Sequence, residues 1–472
     1  MSYFDSEYTD EGNFFAEDKN IDDEIKRCKE LVDSGNIFEL METAEEVLQL
    51  CGENERFSDG LYFVNLLLDV APYNSDYWFK KGFFLNGLFK FEEAIECYNK
   101  SLSLNPGDSE ILIDRASTEE NLGLTAQARK SLEEALTSDP YNEDAIFSLG
   151  VIHQQKEEYD IAIKYFTQLI EQNSSYSEAY YELGFCFEMT NNPQKALEAY
   201  EAFLDKDPYN PNGWYNRAVM YTRLNNLEKA IASYDLATAI KDDFSSAWFN
   251  KGNVLADLGR FSEAIECFKK SYDLDKEDEA SLYNVANIYE EIGDMVNAIK
   301  NYTAAINLND GYYEAFLARG YCFDSIGKYQ LALKDFNKAI SLSENCADAW
   351  YAKADLEYSL GQLKEAVDSY MHAILIEPEN FEIWFNLAET FLEIGAWLDA
   401  IDAFDHCIKI KPNDAASYYG KAKIYFIISR TQDAIDSLKI AFKLDPSIRS
   451  EFVKEYPDIK SSKLFKKLLG EN

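Results

Sequence analysis

Bulky and small apolar residues return along this chain at one fixed interval. Ala94, Ala128, Ala162, Ala196, Ala230, Ala264, Ala298, Ala332, Ala366, Ala400 and Ala434 each lie 34 residues apart. Twelve residues before each alanine stands a second small residue, the series running Gly82, Ala116, Gly150, Gly184 and on to Ala422. Four residues before that comes a large one, such as Trp78, Trp214, Trp248, Trp350 or Trp384. Four residues after each alanine sits another large one, aromatic in nine units from Tyr98 to Phe404 and Leu132 or Leu438 in the other two. Residues at i and i+4 share a helix face, so each unit predicts two short helices, each with a bulky and a small residue side by side. Turn signals such as Leu258-Gly259-Arg260-Phe261 fall between them, and Pro106, Pro140, Pro208, Pro378, Pro412 and Pro446 close six units. One helix pair cannot bury its apolar stripe alone, so the pairs must stack. The fold class expected is an all-α solenoid.

These residues closely resemble the tetratricopeptide repeat family over about 75–448, in eleven in-phase copies. The resemblance implies a right-handed superhelix of stacked antiparallel helix pairs with a 34-residue period, its first helices lining a concave groove. Proline is missing from five units, where Ser174, Asp242, Lys276, Asp310 and Glu344 stand instead. That departure concerns the inter-repeat turn only.

The ends read differently. Residues 1–20 form an acidic, aromatic-bearing stretch expected to be a disordered tail. Residues 21–74 carry helical spacing at Ile21, Ile25 and Leu31, and Pro72 keeps the 34-residue phase. Gly60 stands where the framework alanine belongs, so an N-terminal helical cap with a degenerate repeat is expected. Residues 449–472 combine Arg449, Lys454, Lys460, Lys463, Lys466 and Lys467 with Phe452, Phe465 and Leu468, the pattern of a C-terminal capping helix and basic tail.

Composition narrows the function. With 45 Lys and Arg against 85 Asp and Glu, the formal charge is −40, which leaves no basic face for nucleic acid. No apolar run approaches membrane-spanning length, and the N-terminus lacks a secretory signal. Eight cysteines without a CxxC pair read as free thiols in a reducing, cytoplasmic setting. Three scattered histidines offer no metal site, and there is no glycine-rich phosphate loop or HExxH. Neither a cofactor nor catalysis is expected.

Counting Ser75 as position 1, the family resemblance places positions 2, 5, 6, 9, 12 and 13 of each first helix in the groove. Asn216, Asn250 and Asn284 share position 6 in three consecutive units, Asn386 recurs there later, and Asn253 and Asn287 stand at position 9. Side-chain amides offer donors and an acceptor, so such a row can hold the backbone of an extended peptide. It resembles the asparagine ladders of peptide-binding superhelices. The same six positions carry 18 acids, Glu182, Glu290, Asp355 and Glu389 among them, and only three bases, Lys80, Arg223 and Lys423. An acidic trough attracts basic ligands. Position 7 is often basic (Lys81, Arg115, Arg217, Lys251, Arg319, Lys353, Lys421), and these side chains would cancel the field if they reached the groove. Position 5 is Phe or Tyr in nine of the units, which reads as packing more readily than as anchors for a ligand. The Lys and Arg pair by which related domains clamp an acidic chaperone C-terminus is missing. The resulting expectation is a non-catalytic scaffold that is monomeric or weakly self-associating. It would bind extended, basic polypeptide through Asn216, Asn250, Asn253, Asn284, Asn287 and Asn386, with Glu182, Glu290, Asp355 and Glu389 beside them. The alternative is an assembly module acting through the convex surface and end caps.

Overall fold

The structure is a computed structural model that describes residues 11–35 and 37–457. Among these residues every regular element is a helix. The chain divides into two compact units, one ending at Ile240 and the other beginning at Lys241.

The first unit opens with α1 (Glu11–Ser34), α2 (Ile37–Glu53) and α3 (Phe57–Val70). Five helix pairs follow: α4 (Ser75–Gly87) with α5 (Phe91–Leu104), α6 (Ser109–Asn121) with α7 (Thr125–Ser138), α8 (Glu143–Gln155) with α9 (Tyr159–Gln172), α10 (Ser177–Met189) with α11 (Pro193–Leu204), and α12 (Pro211–Arg223) with α13 (Leu227–Ile240). The second unit holds six pairs: α14 (Ser245–Asp257) with α15 (Phe261–Leu274), α16 (Glu279–Glu291) with α17 (Met295–Leu308), α18 (Tyr313–Ser325) with α19 (Tyr329–Leu342), α20 (Ala347–Ser359) with α21 (Leu363–Ile376), α22 (Phe381–Ile394) with α23 (Trp397–Ile410), and α24 (Ala415–Ile427) with α25 (Thr431–Leu444). It ends on α26 (Ile448–Glu455). Helix α1 begins inside the stretch expected to be tail; residues 1–10 and the basic residues from Lys460 onward lie outside the described residues.

The periodic residues meet as their spacing requires. All nine aromatic residues at the fourth position after the framework alanine are fully buried, as are the alanines themselves. In the five units whose small residue is glycine, the ring lies on the glycine of its own first helix. A Cβ built on Gly82 would stand 2.6 Å from Tyr98, on Gly150 2.5 Å from Phe166, and on Gly320 2.5 Å from Phe336. The position-5 aromatics lean on the same rings: Phe147 on Phe166 at 5.7 Å, Tyr283 on Tyr302 at 5.5 Å and Phe385 on Phe404 at 5.8 Å between centroids.

Every turn inside a pair follows one recipe. The residue at position 15 is left-handed in all eleven units, whether glycine (Gly123, Gly259, Gly293, Gly327, Gly361, Gly395) or not (Phe89, Glu157, Asn191, Asn225, Ser429). The next amide then donates to the carbonyl five residues back, as Arg260 to Leu255 at 2.8 Å and Gln362 to Glu357 at 2.9 Å. This bond satisfies a carbonyl that the end of the first helix would otherwise leave open. Glu55, in phase with Phe89, has the same φ of 55° and the same bond, from Arg56 to Cys51 at 2.8 Å. Between pairs, the indole of Trp78, Trp214 and Trp384 donates to the carbonyl of Pro72, Pro208 and Pro378, each at 2.8 Å. Trp248 and Trp350 make the same bond to Asp242 and Glu344. The acceptor is a backbone oxygen, so the turn keeps its anchor where proline is absent.

Two outcomes follow. Gly259 has φ of +70° and open space around it, so Gly259→Val is opposed by backbone strain alone. It should cost about 1–2 kcal/mol, measured as faster amide exchange at Arg260 and in the adjoining turns of α14 and α15. Arg319 donates to both oxygens of the buried Asp335 carboxylate, at 2.7 and 2.9 Å. Asp335→Ala strands that guanidinium and should cost about 3–5 kcal/mol. Exchange should quicken in α18 and α19 and change little in α24 and α25, because each pair touches only its neighbours.

Candidate functional site

The exposed face of the first helices gathers the polar residues that the repeat does not use for packing. In the first unit Asn216 donates to the Tyr181 hydroxyl at 3.1 Å, across adjacent first helices. Gln154 donates to Glu182 at 2.7 Å, and Arg223 to Glu188 at 2.9 Å. In the second unit Asn284 donates to the Asn253 carbonyl oxygen at 3.0 Å, and Asn386 donates to the Tyr351 hydroxyl at 3.0 Å. Asn250 stands at the equivalent place on α14 and is partly exposed, like the other five asparagines. The amides therefore stitch neighbouring first helices together. An amide has two N–H donors and a carbonyl acceptor, so Asn284 keeps its oxygen and Asn253 its hydrogens outside the bond between them.

Tyrosine hydroxyls from the second helices reach this face too, which the sequence reading missed. The Tyr302 oxygen lies 2.6 Å from both Asn287 Oδ1 and Glu290 Oε2. Tyr200 meets Glu188 at 3.4 Å and Tyr370 meets Asp355 at 3.5 Å. Burial, and then the bond to Glu290, pushes the Tyr302 hydroxyl far above its usual range, so it remains a donor to the carboxylate. Residue type offered no signal for this: Tyr98 and Tyr234 belong to units without an acid at position 9 or 12, while the units of Phe336 and Phe404 carry Asp324 and Glu389 there. Tyr358 donates to Glu393 at 2.5 Å, and that bond, followed by burial, lifts its hydroxyl to about 12.

Three of the acids are poorly solvated here. Burial raises the carboxyls of Glu182, Glu389 and Asp114, with Glu110 adding to the effect at Asp114, which reaches about 6. Few cations oppose them. Lys80 pairs with Asp76 at 2.8 Å, Arg223 with Glu188, and Lys423 with Glu455 at 3.0 Å. The position-7 bases face the other way. Arg115 donates to Ser131 and Asn99 on second helices, Arg217 to Glu201, Arg319 to Asp335 and Thr303, and Lys421 to Asp405. Lys81, Lys251 and Lys353 lie over the indoles of Trp78, Trp248 and Trp350. They leave the field of the first-helix acids standing.

Among the described residues no three His, Cys, Asp or Glu gather as a metal cluster, and no helix is long and apolar enough to cross a membrane.

Tetratricopeptide repeat models match residues 75–108, 109–142, 147–211, 190–245, 245–278, 280–312 and 313–346, and a TPR repeat model matches 354–395. No curated protein matches the chain. Solved structures that resemble it include MamA, 20% identical over 35% of this chain and 97% of that one, with a TM-score of 0.33. YrrB, described as a TPR protein with an unusual peptide-binding site, is 24% identical over 39% of this chain and 94% of its own, at 0.34. A chain of the APC/C hetero-tetramer Cut9-Hcn1 is 16% identical over 94% of both chains, at 0.35.

Asp114 gives a pH-dependent outcome. Its native carboxyl sits near 6 against an ordinary 3.8. Between those values the native state binds more protons than the unfolded one, so this group's contribution falls as pH rises through the window. Asp114→Asn should stabilise α6 at pH 7 by about 3 kcal/mol and flatten its exchange profile between pH 4 and 6. At pH 3 it should change little.

Proposed function

The chain belongs to the tetratricopeptide repeat family, and on that premise we propose that it is a non-catalytic scaffold. It holds extended, basic polypeptide segments on the exposed face of its first helices. The observation that carries this reading is the partition of charge. The position-7 bases turn to second helices and indoles, Lys80, Arg223 and Lys423 are paired within the chain, and the carboxylates of the first helices face outward in excess. A Lys or Arg side chain arriving there supplies the countercharge that the chain does not. Asn216, Asn250, Asn253, Asn284, Asn287 and Asn386 would bond the backbone of the segment with the amide atoms left over from their stitches. Glu182, Glu290, Asp355 and Glu389 would take its basic side chains. The buried, reluctantly ionised carboxyls favour a cation over an anion or a neutral group, since a bound cation relieves their raised pKa.

The test is capture from an array of extended peptides of graded charge. Lys- and Arg-bearing peptides should be retained and acidic ones should not. Retention should fall as salt is raised from 0.05 to about 0.5 M, because the attraction of a basic peptide to the acidic surface as it approaches is screened by salt. Replacing Asn216, Asn250, Asn253, Asn284 and Asn287 together by Ala should weaken binding at least tenfold, about 1.4 kcal/mol. Unchanged retention by that variant, with its helix content intact, would remove the asparagines from the proposal. Retention independent of peptide charge would remove the acids.

A further inference from the structure

The second unit ends in a pocket of about 600 Å³ on the first-helix face, between α22, α24 and α26. Phe385, Tyr419 and Ile448 give it apolar walls, and Glu389, Glu451 and Lys423 stand at its polar rim. Lys423 is committed to Glu455 at 3.0 Å, and Glu455 also accepts from the Tyr419 hydroxyl at 2.7 Å. Among the described residues the cation acting on Glu389 is the diverted Lys423, and burial raises its carboxyl. The pocket thus combines apolar walls with unmatched negative charge.

The chain supplies the complement. Residues 458–472, outside the described residues, carry Lys460, Lys463, Lys466 and Lys467 against Asp458 and Glu471, a net excess of base in a chain of charge −40. Between the lysines stand Leu464, Phe465, Leu468 and Leu469. The point of departure is fixed: Glu455, three residues before Asp458, is clamped by Tyr419 and Lys423, which themselves line the pocket. From there Phe465 is ten residues away, a reach of roughly 30 Å if extended, more than the pocket requires.

We propose that the segment 458–472 seats in this pocket in cis. Leu464 and Phe465 lie against Phe385 and Tyr419, and the flanking lysines meet Glu389 and Glu451. The inference rests on reading the first-helix face as a polypeptide-binding surface and adds its resident occupant. A tethered segment acts at an effective concentration in the millimolar range. An external basic segment would therefore have to displace it at this end of the face, while the asparagine-bearing helices further back stay accessible.

The experiment uses the full chain. Lys460, Lys463, Lys466 and Lys467 are changed together to Glu, and a fluorescein-labelled peptide of residues 458–472 is titrated into both forms. The charge-reversed chain should bind it at least tenfold more tightly than the unaltered chain, whose pocket is filled. Adding Glu389→Lys and Glu451→Lys to the charge-reversed chain should abolish that binding. Carbodiimide cross-linking of the unaltered chain should join Lys463 or Lys466 to Glu389 or Glu451 within a single chain. Equal affinities for the two forms, or no such cross-link, would overturn the proposal. Cross-links found only between differently isotope-labelled chains would overturn docking in cis in favour of a second copy. None of the five asparagines replaced above lines this pocket, so their loss leaves this readout unchanged, and either reading can fail without the other.

Discussion

The structure depends on one contact, repeated in each helix pair: a large side chain from the second helix pressed onto a small residue of the first. At Gly82, Gly150, Gly184, Gly252 and Gly320 a Cβ would fall within 2.9 Å of the ring of Tyr98, Phe166, Tyr200, Phe268 or Phe336. In these five units the pair therefore closes to a distance that only glycine permits. That distance, together with the left-handed residue at position 15, sets the direction in which each second helix leaves its turn. Once these are set, the outward positions of the first helix can vary in chemistry, since none is needed to hold the pair. This freedom explains how asparagine, glutamate, tyrosine and lysine alternate at positions 6, 9 and 12 while the positions 8, 20 and 24 barely change.

Charge is sorted by the same geometry. A residue at position 7 is adjacent in sequence to position 6 but a hundred degrees round the helix, so it looks at second helices rather than outward. Arg115, Arg217 and Arg319 each find an oxygen there, and Lys81, Lys251 and Lys353 an indole face. The tightest of these pairs, Arg319 with Asp335, is a buried pairing whose value lies less in net stability than in what its rupture would cost. The position-7 cations are thus held within the stack, and the first-helix positions beside them carry more acids than bases.

The fold was legible because the alanines, glycines and aromatics occur in step, and steric fit is a property that residue type states directly. The direction of the position-7 bases followed from the helix period too, once the partners on the second helices were known; the sequence alone left open whether they would cancel the acids. The roles of the asparagines were less legible. Asn216 and Asn386 bond a tyrosine hydroxyl 35 residues away, and Asn284 bonds Asn253. Such bonds depend on side-chain reach between neighbouring helices, which no spacing rule encodes. The tyrosine hydroxyls of Tyr200, Tyr302 and Tyr370 escaped for a related reason. Their rings belong to the core pattern, and only the structure shows the ring passing through the pair to place its oxygen beside a carboxylate on the far side.

These stitches bear on what a ligand would meet. An amide held by a neighbour is already oriented, so less side-chain entropy is lost when its remaining atoms bond a peptide backbone. The carboxylates are a different matter, because their surroundings are arranged at a cost. Glu182, Glu389 and Asp114 are buried enough to resist ionisation, and among the described residues only Glu389 has a cation, Lys423, that partly offsets this. A protein gains nothing in stability from such groups when empty. Apolar residues at the same places would be cheaper for the fold, and the sequence carries them in other units, Ala318 and Ala352 at position 6 and Phe83 at position 9. Retaining acids there leaves free energy that a basic side chain can recover on binding, and the recovery is larger for a group that was strained than for one already at ease in water.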